Sequence, residues 1–354
     1  MLTIKKRART SPAVLAMSLF AALGLAATGC SSSSESTSET LAPEVTTEAA
    51  VETTVAVEPF RIAVISPSAK NDSAFSQSIF DAVTRISETM EVEIQVSDGL
   101  FVVEEAAKAI RGYAEDGFDL VIAHGSQYGG PLQEIAPDYP DVAFAWGTAV
   151  DTFGLANVSS YSVRADQGGY VMGVIAATLS AAKNIGVVGP VEVGDAKLFV
   201  DGFKSGVGSK DPDVKVNVNY IKSFGDVALA TEAATAFVAN GADVLTGTAQ
   251  MVVGAIAVAK AEGIPWFGTQ SNQTALAPEI VVASQVYHWE VILATIIADV
   301  KSGVLGGKTH IATLANGGLV IEYNDAFKLD PEVKALADKT IAGLADQTIN
   351  TGVK

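Results

Sequence analysis

The feature that most constrains this chain is an alternation of short apolar runs with amphipathic segments from Phe60 to Phe267. Phe60 to Ser66 is apolar enough for a buried strand, and Phe75, Ile79, Val83, Ile86 and Met90 then recur at helical spacing on one face. A strand around Val92 to Val96, a helix from about Val103 to Asp116 and a strand from Phe118 to Ala123 follow. Past a glycine-rich turn at Gly125, Gly129 and Gly130 come a short helix and the strand Val142 to Trp146. The rhythm restarts at Asn157. It predicts a helix from about Asp166 to Ala182, a strand Ile185 to Val188 and a helix through Phe199 and Phe203. Strand Val214 to Ile221, helix Val227 to Asn240, strand Ala242 to Leu245, helix Val252 to Glu262 and strand Ile264 to Phe267 complete a second set. Nearly continuous apolar strands belong to parallel sheets covered on both faces, so the pattern predicts an α/β fold. Two such sets predict two similar lobes. Ligands of these sheets sit beyond the carboxyl ends of the strands, which here would face each other across a cleft.

The N-terminus reads as a processing segment and is set aside from the fold. Lys5, Lys6, Arg7 and Arg9 precede an apolar run from Ala13 to Ala27, too short to span a bilayer comfortably. It ends in Ala27-Thr28-Gly29-Cys30, with the only cysteine of the chain. This arrangement resembles a bacterial lipobox, with Ala27 where Leu is usual. The resemblance implies a signal peptide over residues 1–29 and a lipid anchor on Cys30, the two or more acyl chains of which suffice for stable attachment. Residues 30–58 carry six glutamates and no aromatic or basic side chain. Such a stretch buries too little apolar surface to offset the entropy of ordering, and a disordered, extended tether is expected.

The formal charge is −17. With the four cations of the leader and the six tether glutamates set aside, about −15 remains on the body. So acidic a surface repels nucleic acid and anionic membranes. A lipidated Cys30 leaves no thiol for a disulfide, so the core alone must hold the fold, and the body is long enough to build one. His124, His288 and His310 are isolated in the sequence, which predicts no metal site and no cofactor. Neither a Gly-x-Ser-x-Gly elbow nor a phosphate-binding P-loop occurs, so an enzyme is not expected. A hydrolase on the same scaffold remains an alternative, because carboxylate pairing in space is invisible here.

Several stretches in order carry a family likeness. Asn71-Asp72-Ser73-Ala74-Phe75-Ser76-Gln77 follows the first strand, Tyr139-Pro140-Asp141-Val142-Ala143-Phe144 enters a later one, and Gly169-Tyr170-Val171-Met172-Gly173 precedes Ala176-Ala177. Phe199 to Phe203 reads F-x-x-G-F, Gly268 to Gln273 aligns with G-x-D-x-D-Q, and Asn316-Gly317-Gly318 lies near the end. Together they resemble the basic membrane protein family of solute-binding lipoproteins, which includes purine-nucleoside receptors of ABC importers. The resemblance spans roughly residues 60 to 327.

It implies a type I periplasmic-binding fold, with two Rossmann-like lobes and three crossings near Tyr161 to Arg164, Ala283 to Val286 and Leu314 to Gly317. The first lobe is expected to comprise residues 59–163 and 285–315, the second 164–284 and 316–354. It also implies a monomeric receptor, capturing a purine-like base or nucleoside outside the cytoplasm and docking on an ABC permease in the membrane. A sensor that signals to a membrane protein would have the same sequence.

In the nucleoside receptors the purine stacks between two phenylalanines, matched here by Phe75 and Phe199. An aspartate that binds ribose is replaced by Gln270, its neighbour by Asn272, and the family Asn by Ser76. An amide lacks the two anionic acceptors that suit a diol, so ribose binding is in doubt while stacking survives. Each candidate has a plainer role beside it. Phe75 and Phe199 fit apolar helix faces, and Asp72 and Asp226 are favoured helix caps, Asp226 mainly so. Gln270, Asn272 and Gln273 follow a strand end, where polar side chains contact either ligand or water. Ser126, Gln127 and Tyr128 follow another strand and suit a turn equally. Trp146, Trp266 and Trp289 offer stacking area or ordinary packing.

Overall fold

The computed structural model describes residues 58–354; the leader, Cys30 and all of the tether before Glu58 lie outside them. The apolar runs form two six-stranded sheets. The first holds β1 (Phe60–Ile65), β2 (Val92–Ser97), β3 (Leu120–His124), β4 (Ala143–Gly147), β5 (Val158–Val163) and β11 (Thr309–Ala312), in the order β11-β5-β4-β3-β1-β2. Every pairing in it is parallel. The second holds β6 (Asn184–Gly189), β7 (Lys215–Tyr220), β8 (Val244–Gly247), β9 (Trp266–Gln270), β10 (Val281–Tyr287) and β12 (Leu319–Tyr323), in the order β12-β10-β9-β8-β6-β7. It is parallel except where β10 meets β12. The two sheets have matching orders, the architecture of a type I periplasmic-binding protein.

Between the strands run α1 (Phe75–Thr89), α2 (Val103–Glu115), α3 (Gly129–Ile135), α4 (Ala165–Leu179), α5 (Gly194–Lys210), α6 (Val227–Ala239), α7 (Val252–Glu262), α8 (Trp289–Lys301) and α9 (Pro331–Ala345). Central strands such as β3 and β8 are buried along their whole length, as parallel strands covered by helices must be. Local chemistry sets several helix starts. Asp72 accepts the N–H groups of Ala74, Ser76 and Gln77, and Asp226 accepts Leu229 N–H, capping α6. Asp330 caps α9, whose first residue is Pro331.

The chain passes between sheets after β5, after β10 and between β11 and β12. The second passage falls later than the resemblance implied. Gln285, Val286 and Tyr287 still pair with β9 and β12, and the chain returns to the first lobe only with α8, which packs on α1. Strands β11 and β12 escape the apolar rhythm because they are short and only partly buried.

The densest helix contact joins α4 to α5, and glycines make it possible. A Cβ on Gly169 or Gly173 would strike the backbone of Phe199 or Phe203, and one on Gly202 or Gly206 would strike Asp166 or Tyr170. Two of the motifs that carried the family likeness are thus the two halves of one backbone-to-backbone contact.

Candidate ligand-binding cleft

A cavity of about 150 Å³ lies between the lobes, and every residue lining it lies at or beyond the carboxyl end of a strand. The first lobe contributes Pro67 and Phe75 beyond β1, Phe101 beyond β2, Ser126 and Gln127 beyond β3, and Thr148 beyond β4. The second contributes Val193 to Ala196 beyond β6, Phe224 beyond β7, Ala249 and Gln250 beyond β8, and Gln270 at the end of β9. Outward, the cavity continues past Pro67, Phe101, Phe224 and Gln250 into an open cleft of about 880 Å³.

Three lining residues, Thr148, Ala249 and Gln270, hold left-handed backbone conformations at φ of 57°, 76° and 71°. Each costs of order 1–3 kcal/mol outside glycine, and such strain gathers where the fold must aim groups at a ligand.

Phe75 stacks on His124 with ring centroids 4.4 Å apart. Burial holds the His124 imidazole down at about 3, so it is neutral, and its Nδ1 meets the Tyr161 hydroxyl at 2.7 Å. Trp289 packs edge-on against both rings and donates to Ser78 Oγ at 3.0 Å. Phe75 therefore rests on a neutral aromatic stack. Among the described residues the only acidic or basic side chain in the cavity wall is Asp195, in the first turn of α5. Burial raises its pKa, opposed by hydrogen bonds from Gln270 Nε2 at 3.3 Å and Tyr287 Oη at 3.4 Å.

Of the residues picked out in the sequence, Phe75, Ser126, Gln127 and Gln270 line the cavity. Asp72 lines the outer cleft, but both its oxygens are engaged by the start of α1 and by Ser68 Oγ. The structure assigns the others to different work. Phe199 is fully buried against Phe203, because the glycine contact turns that face of α5 onto α4. Tyr128 is fully buried and donates to Leu100 O. Trp146 stacks on Phe153 and donates to Gly125 O, and Trp266 lies in the core of the second lobe. Ser76 is buried against Ser68, and Asn272 faces solvent and donates to Glu322 at 2.6 Å. Gln273 is wholly buried, accepting Trp266 Nε1–H and donating to Ser73 O.

Sequence reasoning missed Phe101, Asp195 and Phe224. Each stands beyond the carboxyl end of a strand, on the edge of its sheet that also carries Phe75 and Gln270. Position within the repeat was the signal, and residue type alone was not.

The sequence profile described as "ABC transporter substrate-binding protein PnrA-like" matches residues 60–345. A purine-binding protein of Brucella abortus is 30% identical over 249 residues, 70% of this chain and 69% of that protein. Basic membrane protein A of Borreliella burgdorferi is 26% identical over 291 residues, 79% of this chain and 85% of that protein. The crystal structure of an ABC transporter solute-binding protein from Aeropyrum pernix superposes with a TM-score of 0.71 at 20% identity, covering 82% of this chain and 93% of that one. Fold and cleft define a two-lobed solute-binding protein. The chain belongs to the basic membrane protein family of PnrA-like ABC-transporter substrate-binding proteins, a family that works outside the cytoplasm with membrane permeases. Among the described residues no helix is long and apolar enough to cross a membrane.

Proposed function

We propose that the protein captures a purine-like base or nucleoside between its lobes and presents it to an ABC permease, held at the membrane by a lipid on Cys30. The observation that carries this reading is that Phe75 and Phe224 enter one cavity wall from opposite lobes. Aromatic walls suit a flat ring with a π-face. The lining supplies no lysine or arginine, the partner that the carboxylate of an amino acid or the phosphate of a nucleotide calls for. The name of the Brucella abortus relative points the same way. Both walls come from one chain, so a monomer suffices.

Mass spectrometry of small molecules extracted from the purified protein tests the assignment. A purine base or nucleoside is expected; a sugar or amino acid retained instead would overturn it.

A further inference from the structure

The inner cavity is too small for a whole ligand. Pockets that enclose one run to roughly 300–1,000 Å³, and this cavity measures about 150 Å³. Whatever the ring at Phe75 carries must therefore extend through the opening that Pro67, Phe101, Phe224 and Gln250 share with the outer cleft. That cleft stays open although the lobes are already joined, by Gln273 Nε2 to Ser73 O and by Ser271 Oγ to Ala74 O. Its lips are apolar on both sides. Phe101 of the first lobe is 57% exposed and Val227 of the second 42%, and Val193, 48% exposed, lines the inner cavity beside them. Val191 and Val253 continue the second lobe's wall. Among the described residues neither Phe101 nor Phe224 stacks on another aromatic ring. Apolar side chains scattered over a surface are ordinary, but a group gathered around one opening marks a binding surface.

Much of the polar chemistry of this cleft is engaged by the fold itself. Asp72 holds the start of α1 and accepts Ser68 Oγ–H, and Ser223 Oγ accepts the N–H groups of Gly225 and Asp226. Lys222 at the rim is exposed and makes no ion pair among the described residues, so an acidic tail is the rival occupant. Ser73 and Lys222 both hold left-handed backbone, at φ of 60° and 61°, as three residues of the inner cavity do.

We propose that the outer cleft is a second ligand subsite, and that the ligand is a purine-like ring bearing an apolar aryl or branched alkyl substituent lodged between Phe101 and the valines of the second lobe. The inference rests on the purine reading and narrows it. The ring fills the inner cavity against Phe75, and the substituent covers apolar surface that the free protein leaves in water. Covering apolar surface the size of one phenylalanine side chain raises affinity by roughly 10- to 150-fold. A bare base leaves that surface wet, and a ribose meets it with hydroxyls.

The test is calorimetric titration of the purified protein with adenine, adenosine, AMP, 6-benzylaminopurine and 9-benzyladenine, the last two carrying the same aryl group on different edges of the ring. At least one benzyl compound should bind about tenfold more tightly than adenine, or tighter still. Phe101→Ala and Val227→Ala replace exposed side chains on opposite lips, so both variants should fold. Each should weaken the benzyl compound more than it weakens adenine, cutting the gain by about threefold or more. Benzyl compounds no tighter than adenine, or a gain that survives both substitutions, would overturn the subsite and leave the purine reading standing. Adenosine or AMP binding about tenfold more tightly than either benzyl compound would give the cleft to a sugar or to an acidic tail at Lys222, and would overturn it too. Binding of none of these compounds by the unaltered protein would overturn both readings.

Discussion

Gln273 Nε2 donates to the carbonyl of Ser73 at 3.2 Å, joining residues from opposite lobes beside the cavity. Its Oε1 meanwhile accepts Trp266 Nε1–H at 2.9 Å, and Ser271 Oγ, two residues earlier, donates to Ala74 O at 2.9 Å. The segment after β9 thus latches the second lobe onto the start of α1 rather than reaching toward solute.

Gln273→Ala is expected to cost about 2–3 kcal/mol of stability, since it strands the buried Trp266 N–H and removes the latch. Asn272→Ala, on the exposed side of the same loop, should stay within about 0.5 kcal/mol and leave ligand affinity unchanged. Denaturant midpoints for the two variants check this, and equal midpoints would refute the division.

Phe199 and Phe224, both of the second lobe, should separate in the same way. Phe224→Ala should weaken ligand binding by roughly 10- to 150-fold, the worth of a base–aromatic stack, with little change in stability. Phe199→Ala should cost about 3–5 kcal/mol by opening a cavity in the core. Thermal unfolding beside a binding titration distinguishes them; a large affinity loss in a folded, stable Phe199→Ala would return that residue to the cleft.

The α4–α5 contact predicts that Gly206→Ala destabilises by about 1–3 kcal/mol or more, because the clash is with backbone that cannot swing aside. Gly208→Ala, where an added Cβ meets nothing, should be neutral or stabilising. Urea titrations of both variants measure the contrast.

His288 links the lobes electrostatically. Its Nδ1 lies 2.7 Å from Glu290 on α8 and its Nε2 3.4 Å from Glu322 on β12, with Arg85 also on Glu290. Hydrogen bonds to Glu290 and Glu322 outweigh burial and raise its pKa from 6.5 to about 9. A pKa raised by folding means stabilisation that is complete below pH 6.5 and lost as pH rises through 9. With solvent screening allowed for, a loss of about 1–2 kcal/mol is expected over that window. His288→Gln should flatten that part of the stability profile, and an unchanged profile would remove His288 as its cause.

Outside the described residues, Cys30→Ala should release the protein from membranes in soluble form. Retention at unaltered levels, measured by fractionation, would rule out the lipid anchor.

The architecture was legible because apolar periodicity reports directly on which strands are buried on both faces, and β1, β3 and β8 show that pattern plainly. The site was legible only in part. Helical spacing identifies the apolar face of α5 but not what that face meets, and only the glycine contact with α4 reveals that Phe199 is covered. Asp195 carries no periodic signature; a carboxylate after a glycine looks like any helix start. Trp266 and Tyr128 were ambiguous for the same reason: Trp266 opens β9 and Tyr128 lies in the turn beyond β3, and whether such a side chain packs inward or lines the cleft is set by neighbours distant in sequence. Gln270 and Gln273, three residues apart, differ because the left-handed turn at Gln270 sends one toward the cavity and leaves the other beneath it.

The central claim, a purine-like ring held at Phe75 between the lobes, is tested most directly by calorimetric titration of the unaltered protein and Phe75→Ala with adenine, guanine and their nucleosides. The account predicts saturable one-to-one binding of at least one of them, weakened roughly 10- to 150-fold by the substitution. Absence of binding by all of them, with saturable binding of a hexose or an amino acid, would contradict it.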